Sequence, residues 1–160
     1  MRIGVISDTH IKNKNEALPK VICEEFKNVD MILHAGDLVK ISVLDELKKF
    51  AEVKAVVGNM DYPEVVSSLP KKELIKIGKF KIGLIHGYGP PEGLIERIRK
   101  EFDGQIDAII FGHSHRPVNE LIDNILFFNP GSPTDKIFAP YNSFGIIEIN
   151  NKIKAKIITL

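Results

Sequence analysis

Five short polar motifs lie along the chain, and each contains a side chain that can bind a metal ion. They are Ser7-Asp8-Thr9-His10, His34-Ala35-Gly36-Asp37, Gly58-Asn59-Met60-Asp61, His86-Gly87 and Gly112-His113-Ser114-His115. All the histidines of the protein lie in these motifs. Aspartate, asparagine and histidine offer oxygen and nitrogen donors, which suit Mn²⁺, Fe, Co²⁺, Ni²⁺ or Zn²⁺, whereas Mg²⁺ and Ca²⁺ prefer oxygen alone. Together the motifs predict a site for such divalent ions.

The spacing within two of the motifs supports this prediction. In an extended segment, residues two apart point to the same side, so Asp8 and His10 are expected to direct their donors toward one point. The same holds for His113 and His115. A glycine accompanies four of the motifs and lets the backbone turn sharply there. Any one motif arises easily by chance, so it is their joint occurrence that favours a metal site.

The motifs follow apolar segments whose patterns predict strands. The first sixty residues read as β-α-β-α-β, with strands over residues 2–7, 30–35 and 52–57 and helices over residues 19–29 and 41–50. This order predicts parallel strands joined by right-handed crossovers, a topology that places sites at the carboxyl ends of the strands. The first three motifs stand at those ends.

After Pro70 the pattern becomes one of hairpins. Strands are predicted over residues 73–77 and 80–85, 121–122 and 125–128, and 143–149 and 152–159. A helix over residues 91–102 precedes a further strand over residues 107–111. We therefore expect one α/β (α+β) domain over residues 1–160, built from two packed mixed sheets with helices outside.

Composition excludes several classes of protein. Lys and Arg total 22 against 21 Asp and Glu, so neither a nucleic-acid footprint nor a polyanion-binding tail is indicated. No apolar stretch approaches the ~20 residues that span a bilayer. The single cysteine, Cys23, fits a reducing compartment. We expect a soluble, cytoplasmic protein without a membrane partner.

The order of the motifs resembles that of the calcineurin-like metallophosphoesterases, and within them the small single-domain prokaryotic phosphodiesterases. The shared order is Asp-x-His, Gly-Asp, Gly-Asn-x-Asp, His-Gly and Gly-His-x-His, and the likeness spans residues 5–133. It includes Asn129-Pro130-Gly131-Ser132, which is similar to a motif that follows the last histidine pair in that branch. The resemblance implies a four-layer sandwich of two mixed β-sheets flanked by α-helices, with a dinuclear metal centre at one edge.

The resemblance also implies how the ligands are divided between two divalent ions, with Mn²⁺ favoured and Ni²⁺, Fe, Co²⁺ or Zn²⁺ as alternatives. One ion would be bound by Asp8, His10, Asp37 and His115. The other would be bound by Asp37, Asn59, His86 and His113. Two dications about 3.5–4 Å apart need an anionic bridge, which Asp37 and a shared hydroxide would provide. That hydroxide would attack phosphorus in line, and Asp37, Asn59 and His86 are the expected catalytic residues.

The implied function is hydrolysis of small phosphodiesters by a dinuclear metal-dependent phosphodiesterase, which can form a homodimer. The alternative is a non-catalytic scaffold of the same fold, as in a trafficking-complex subunit that resembles this branch but has an eroded site. All seven implied ligands are present here, and carboxylates clustered without a metal would repel one another, so we favour the enzyme. A zinc hydrolase of amides or esters is disfavoured because His-Glu-x-x-His is absent.

Several residues near the motifs keep two interpretations each. His34 is either a core histidine bonded to backbone or a residue that orients a ligand. Asp61 either forms a turn or orients a ligand or water, and Arg116 either binds substrate phosphate or is solvated. The loops with Tyr88, Pro90 and Pro91, and with residues 138–141, either wall a pocket or form a dimer contact.

Position 60 departs from the wider family. Many relatives have a histidine there that is thought to protonate the leaving group or stabilise the transition state, and Met60 cannot donate a proton. The small prokaryotic branch tolerates other residues at this position. The departure therefore argues against a typical protein phosphatase more than against catalysis.

Overall fold

The computed structural model describes residues 1–13 and 16–160. The elements in this part of the chain are β1 (Arg2–Ile6), α1 (Lys20–Phe26), β2 (Met31–His34), α2 (Ser42–Leu47), β3 (Glu52–Ala55), α3 (Pro63–Ser68), β4 (Lys72–Ile77), β5 (Phe80–Ile85), α4 (Leu94–Arg99), β6 (Ala108–Ile110), β7 (Val118–Ile122), β8 (Ile125–Asn129), β9 (Ser143–Ile149) and β10 (Ile153–Thr159). The predicted β-α-β-α-β order of the first half and the hairpins of the second half are confirmed.

The helices are shorter than their predicted ranges because their ends loosen into single turns. Beyond α4, for example, Glu101 N donates to Ile98 O at 3.1 Å and Phe102 N donates to Arg99 O at 3.4 Å, both bonds spanning three residues. Helix α3 was not predicted. It has 6 residues and buries only Val65, so it leaves no helical periodicity in the sequence.

Strand β7 is longer than the predicted residues 121–122. Its side chains are mostly exposed, so the sequence shows no alternation that would mark a strand. It forms a hairpin with β8 around Asp123 and Asn124, whose φ angles of 49° and 62° are those of a type I′ turn. The turn at Asp123 and Asn124, more than burial of β7 side chains, therefore sets the pairing register of β7 with β8.

The described strands form two mixed five-stranded sheets. Their orders are β10-β9-β1-β2-β3 and β4-β5-β6-β8-β7. In the first sheet β1, β2 and β3 are parallel, β9 is antiparallel to β1, and β10 is antiparallel to β9. In the second, β5, β6 and β8 are parallel, and β4 and β7 are antiparallel edges.

The sheets pack face to face and the helices cover their outer faces. One buried cluster joins Val5 and Leu33 of the first sheet to Leu84 of the second. A second joins the first sheet to α1, α2 and α3, and a third joins the second sheet to α4. This is the predicted four-layer sandwich. No helix in the described part of the chain is long and apolar enough to cross a membrane.

Backbone hydrogen bonds gather the loops at one edge of the sandwich. Asp8 N donates to Gly36 O, and His10 N donates to Asp37 O, both at 3.0 Å. In the second sheet, Gly112 N donates to His86 O at 3.0 Å. The loops that leave the parallel strands of each sheet are thus joined directly to one another.

Candidate metal centre

The structure brings all seven predicted ligands together at this edge. Two groups of side chains have donor atoms that all lie within 4.8 Å of one another. One group is Asp8, His10 and His115, and the other is Asp8, Asp37 and His86. The amide of Asn59 connects His113 to the second group, since Asn59 Oδ1 lies 3.1 Å from His86 Nε2 and 3.0 Å from His113 Nδ1. Residues from both sheets therefore converge on one centre.

Asp37 lies between the two halves of the centre. Its Oδ2 is 3.4 Å from His86 Nε2 and 3.7 Å from His10 Nε2. Asp8 also borders both halves, because its Oδ1 is 3.3 Å from His115 Nε2 and 3.9 Å from His86 Nε2. The predicted division gave Asp8 to one ion only, whereas the geometry allows either carboxylate to contact both halves.

The prediction that Asp-x-His and His-x-His are extended is wrong. Five of the ligands have left-handed backbone conformations: Asp8 (φ 53°), His10 (45°), Asp37 (57°), His113 (70°) and His115 (55°). Such a backbone conformation costs about 1–3 kcal/mol per residue and persists only where the surrounding structure offsets that cost. Here the loops turn back over the sheet edge, and these turns direct the donors inward.

Two glycines of the motifs are required by close packing against the carboxylates. A Cβ atom on Gly58 would collide with the carboxylate and backbone nitrogen of Asp37. A Cβ atom on Gly112 would collide with Ser7 Oγ and lie 2.7 Å from Asp8 Oδ2. Both glycines have ordinary φ angles, so they are needed for space more than for the sharp turning that the sequence suggested.

The two carboxylates are buried, and one oxygen of each accepts the shorter hydrogen bonds from protein donors. Ser7 Oγ donates to Asp8 Oδ2 at 2.7 Å, and Met60 N donates to Asp37 Oδ1 at 2.7 Å. The other oxygen, Oδ1 of Asp8 and Oδ2 of Asp37, faces the histidines. Buried anions in such proximity need compensating positive charge.

Hydrogen bonds fix which nitrogen of three histidines faces the centre. A backbone carbonyl can only accept, so His86 Nδ1 donates to Ala35 O at 2.7 Å and leaves Nε2 toward the centre. His113 is reversed, because its Nε2 donates to Gly89 O at 2.7 Å and Nδ1 faces inward. His115 Nδ1 bonds to Asp135 Oδ2 at 2.5 Å, which leaves its Nε2 toward Asp8. Such outer bonds orient metal-binding imidazoles.

The buried charges shift the pKa values of the facing groups. Burial alone would lower the pKa of His86, but the hydrogen bond to Asp37 and the charges of Asp8 and Asp37 raise it to about 9. Burial alone would raise the pKa of Asp37, but His86 and the Met60 N–H lower it. The carboxylates therefore draw positive charge into the centre. Two carboxylates, one amide and four imidazoles make a donor set that fits divalent ions from Mn²⁺ to Zn²⁺.

Asp135 was not predicted, and yet it contacts a ligand. Besides His115, its carboxylate accepts hydrogen bonds from Ile137 N, Phe138 N and Ala139 N at 2.9 to 3.0 Å. Burial alone would raise its pKa, but the bond from His115 and those backbone donors lower it to about 2. Against the effect of burial, Asp8 and Asp135 raise the pKa of His115 to about 9. A single aspartate in a loop gives no sequence signal of this kind.

Asp135→Asn is expected to weaken metal binding by about 10- to 100-fold, since outer partners of ligating histidines typically contribute that much. The substitution keeps the size of the side chain and removes its charge. Calorimetric titration of Mn²⁺ into metal-stripped protein measures the effect. Asp123→Asn in the β7–β8 turn is the matched control and should bind as the wild type does. Unchanged affinity in Asp135→Asn would show that His115 does not depend on this carboxylate.

Two of the ambiguous residues connect the loops of the site. His34 Nδ1 accepts from Gly36 N, so its Nε2 carries the proton and donates to Thr9 Oγ1, both at 3.2 Å. Burial lowers the pKa of His34 to about 4, which keeps the ring neutral. Asp61 accepts from Val39 N at 2.6 Å and from Gly58 N at 2.7 Å, and burial raises its pKa. His34 and Asp61 thus hold the backbone that carries the ligands.

The motif at residues 129–132 has the same role on the other side of the site. Asn129 Nδ2 donates to Gly112 O at 2.8 Å, and Ser132 Oγ donates to Asp8 O at 2.7 Å. Both side chains are buried. The motif therefore fastens the loop of the histidine pair and the loop of Asp8 to the end of β8.

A cavity of about 920 Å³ opens onto the centre, within the usual range for ligand sites. Five of the predicted ligands line it, namely His10, Asp37, Asn59, His113 and His115. Its walls include Lys12, Met60, Pro91, Arg116, Lys136 and Phe138. Of the loop residues predicted to wall a pocket, Pro91 and Phe138 do so. The hydroxyl of Tyr88 instead donates to Glu101 Oε1, beyond the end of α4, at 3.0 Å.

Comparison with known proteins gives a consistent result. Residues 1–152 match the family model of the calcineurin-like phosphoesterase superfamily domain. The chain is 42% identical over 164 residues to a probable metallophosphoesterase of Methanocaldococcus jannaschii, and the aligned region covers 100% of this chain and 82% of that protein. The structure of an archaeal phosphodiesterase is similar over 100% of both chains, with a TM-score of 0.79 and 28% identity. Wild-type Vps29 of Entamoeba histolytica complexed with zinc is similar over 99% of both chains, with a TM-score of 0.76 and 29% identity.

Proposed function

Because the chain belongs to the calcineurin-like phosphoesterase superfamily, we propose that it is a phosphodiesterase that uses two divalent ions at the candidate metal centre. The observation that carries this proposal is the convergence of two buried carboxylates and four histidines from both sheets on one open cavity. The proposed substrates are small phosphodiesters.

The proposed ligands keep the predicted division. Asp8, His10, Asp37 and His115 would hold one ion, and Asp37, Asn59, His86 and His113 the other. Bound divalent ions would polarise the phosphoryl group and lower the pKa of a water molecule toward neutrality. The protein holds the donors in place beforehand, since Met60 N fixes Asp37 and Ala35 O fixes His86. Burial of these groups strengthens their electrostatic interactions with substrate.

A diester is proposed as the substrate for two reasons. The cavity is open and larger than a phosphoryl group, so it has room for a second ester group. The similar archaeal protein is described as a phosphodiesterase. Both reasons support a diester.

The alternative is a non-catalytic scaffold of the same fold. The likeness to Vps29, a vacuolar protein sorting protein by name, keeps this alternative open. Because one similar Vps29 is complexed with zinc, bound metal alone does not separate the two functions. The complete donor set favours the enzyme, and a measurement of turnover distinguishes the enzyme from the scaffold.

The test is hydrolysis of matched aryl phosphates by metal-loaded and metal-stripped protein. We expect metal-dependent turnover, with a higher kcat/KM for bis(p-nitrophenyl) phosphate than for p-nitrophenyl phosphate. Tightly bound metal with no turnover of either ester would support the scaffold. Preference for the monoester would contradict the assignment as a phosphodiesterase.

Met60→His is expected to raise kcat/KM for alkyl diesters more than for aryl diesters. The side chain lines the cavity and is 49% exposed, and only its backbone nitrogen bonds to Asp37, so the substitution leaves that bond intact. An alkoxide leaves as a strong base and gains most from an acid, whose contribution is typically about 10²- to 10⁴-fold. Rates on matched alkyl and aryl esters at constant metal content measure the effect.

The control for this prediction is Met60→Leu, which changes the side chain without adding an acid. An equal gain on both classes of ester, or loss of both, would show that position 60 does not face the leaving group. Protonation would then come from water or another group, with Asp61 the nearest alternative.

A further inference from the structure

Three cationic side chains line the cavity beside the metal centre. Lys12, Arg116 and Lys136 come from the loops after β1, β6 and β8. Within residues 1–13 and 16–160, none of the three forms an ion pair with a carboxylate. Of the acidic residues that line the cavity, Glu16 lies beside Lys12 and accepts from Lys12 N at 2.7 Å, Asp135 bonds to His115, and Asp37 belongs to the metal centre. Arg116 and Lys136 are therefore the cations of the wall that have no neighbouring carboxylate partner in the described part of the chain.

This charge exceeds what a simple phosphodiester requires. A diester carries one negative charge, which the divalent ions of the proposed centre would already neutralise. Cations of one sign gathered around a concave site raise the local potential and attract anions. Arg116 in particular presents a guanidinium group, which binds carboxylate or phosphate with two parallel hydrogen bonds.

The same cavity has an exposed apolar surface. Ile137 and Phe138 are 81% and 70% exposed and line the cavity. Their backbone nitrogens are held by Asp135, and the ring of Phe138 packs edge-on against that of His115, with centroids 6.0 Å apart. Apolar side chains held open to solvent beside a polar site are typical of a ligand-binding groove.

We propose that the substrate carries, on one of its two ester groups, a planar apolar portion and a further anionic group such as a carboxylate or phosphate. Arg116, with Lys12 and Lys136, binds the anionic group. Phe138 and Ile137 contact the planar portion. This inference rests on the proposed function, because it describes the substrate of the same centre.

The test uses three diesters that share a p-nitrophenoxide leaving group and differ in the second ester group, which is methyl, phenyl or carboxyphenyl. The shared leaving group keeps the chemical step comparable. We expect kcat/KM to rise from methyl to phenyl, and to rise about tenfold from phenyl to carboxyphenyl, the size of one charge-assisted hydrogen bond. Arg116→Gln should bring the carboxyphenyl-to-phenyl ratio close to one, and Phe138→Ala should lower the phenyl-to-methyl ratio.

Lys100→Ala is the matched control, since this exposed cation at the end of α4 does not line the cavity. It should leave both ratios unchanged. Equal kcat/KM for all three diesters would overturn the inference while the phosphodiesterase stands. An equal loss on all three in Arg116→Gln would show that Arg116 binds the reacting phosphate, which also overturns it. Absence of any turnover would remove the proposed function, and the inference with it.

A separate observation concerns Arg97 on α4. Its guanidinium Nε donates to Tyr88 O at 3.0 Å and its Nη1 to Glu92 O at 2.8 Å, while Nη2 contacts Pro90 O. The loop held in this way includes Gly89, whose carbonyl accepts the hydrogen bond from His113 Nε2. The bond directs His113 Nδ1 toward Asn59 in the centre.

We infer that Arg97 is a positioning residue for His113. It fixes the Gly89 carbonyl, and that carbonyl selects the tautomer of His113 whose Nδ1 is free to bind a metal. Arg97 does not line the cavity, and its guanidinium bonds to backbone carbonyls of this loop, so we infer that it acts through the loop.

The test compares Arg97→Gln and Arg97→Lys with the control Arg99→Gln. Arg99 lies on the same helix and also bonds to backbone carbonyls, Phe102 O at 2.7 Å and Gly104 O at 3.4 Å, away from the site. We expect Arg97→Gln to weaken binding of one Mn²⁺ about tenfold and to shift the imidazole ¹⁵N resonances of His113 in the metal-stripped protein toward mixed tautomers. Arg97→Lys should restore part of both. Metal affinity and ¹⁵N resonances unchanged in both Arg97 variants, or altered equally in Arg99→Gln, would overturn the inference.

Discussion

Asp37→Asn is expected to lower hydrolysis of aryl diesters by about 10³-fold or more and to reduce bound metal below about one ion per chain. The carboxylate faces histidines of both halves of the centre, with Oδ2 at 3.4 Å from His86 Nε2 and 3.7 Å from His10 Nε2. An anionic bridge offsets the repulsion between two dications, and metal ions contribute several kcal/mol to such reactions, which corresponds to about that factor in rate. Metal analysis and kcat/KM on one preparation measure both effects.

Asp45→Asn is the control, because it removes one carboxylate from the exposed side of α2. It should keep wild-type metal content and rate. If the Asp37→Asn variant retained two ions and full activity, the proposal that Asp37 bridges the two ions would be contradicted. If Asp8→Asn behaved in the expected way instead, the bridge would belong to Asp8, whose Oδ1 lies 3.9 Å from His86 Nε2.

His86→Ala and His115→Ala are expected to weaken different ions, each by about 10²-fold or more. His86 Nε2 lies near Asn59 and Asp37, whereas His115 Nε2 lies 3.2 Å from His10 Nε2 and 3.3 Å from Asp8 Oδ1. Loss of either imidazole therefore removes a donor mainly from one half of the centre. Stepwise calorimetric titration of each metal-stripped variant with Mn²⁺ resolves the two binding steps.

The pattern of loss is the informative result of this experiment. We expect one tight binding step to remain in each variant. Because the site that remains differs between the two variants, they should differ in their preference when Mn²⁺ and Zn²⁺ compete. Identical loss of both steps in both variants would contradict the division into two halves. The centre would then bind its ions as one cooperative unit.

Much of the fold and of the candidate site could be predicted, because the strands are recognisable in the sequence and the site motifs directly follow them. Motifs such as residues 7–10 and 34–37 stand directly after apolar segments, and such segments can be recognised by pattern alone. The family resemblance carried by these motifs is confirmed by the match over residues 1–152 and by the relative with 42% identity. Function must still be argued from the site, because one fold supports several functions.

The features that could not be predicted depend on tertiary contacts. Asp135 reaches His115 from a loop 20 residues later in the chain, and nothing in its local sequence distinguishes it from a solvated aspartate. The left-handed backbone at residues such as Asp8 and His113 arises because hydrogen bonds between loops hold them there. The need for Gly58 and Gly112 arises from carboxylates that approach them in space.

The most direct test of the proposed metal-dependent phosphodiesterase activity is turnover of bis(p-nitrophenyl) phosphate as a function of metal content. Metal-stripped wild-type protein is titrated with Mn²⁺, and rate and bound metal are measured at each point. We expect little turnover without metal and a rise to a plateau at about two ions per chain, reversed by a chelator. Full metal occupancy without turnover, or turnover that persists in excess chelator, would contradict the account.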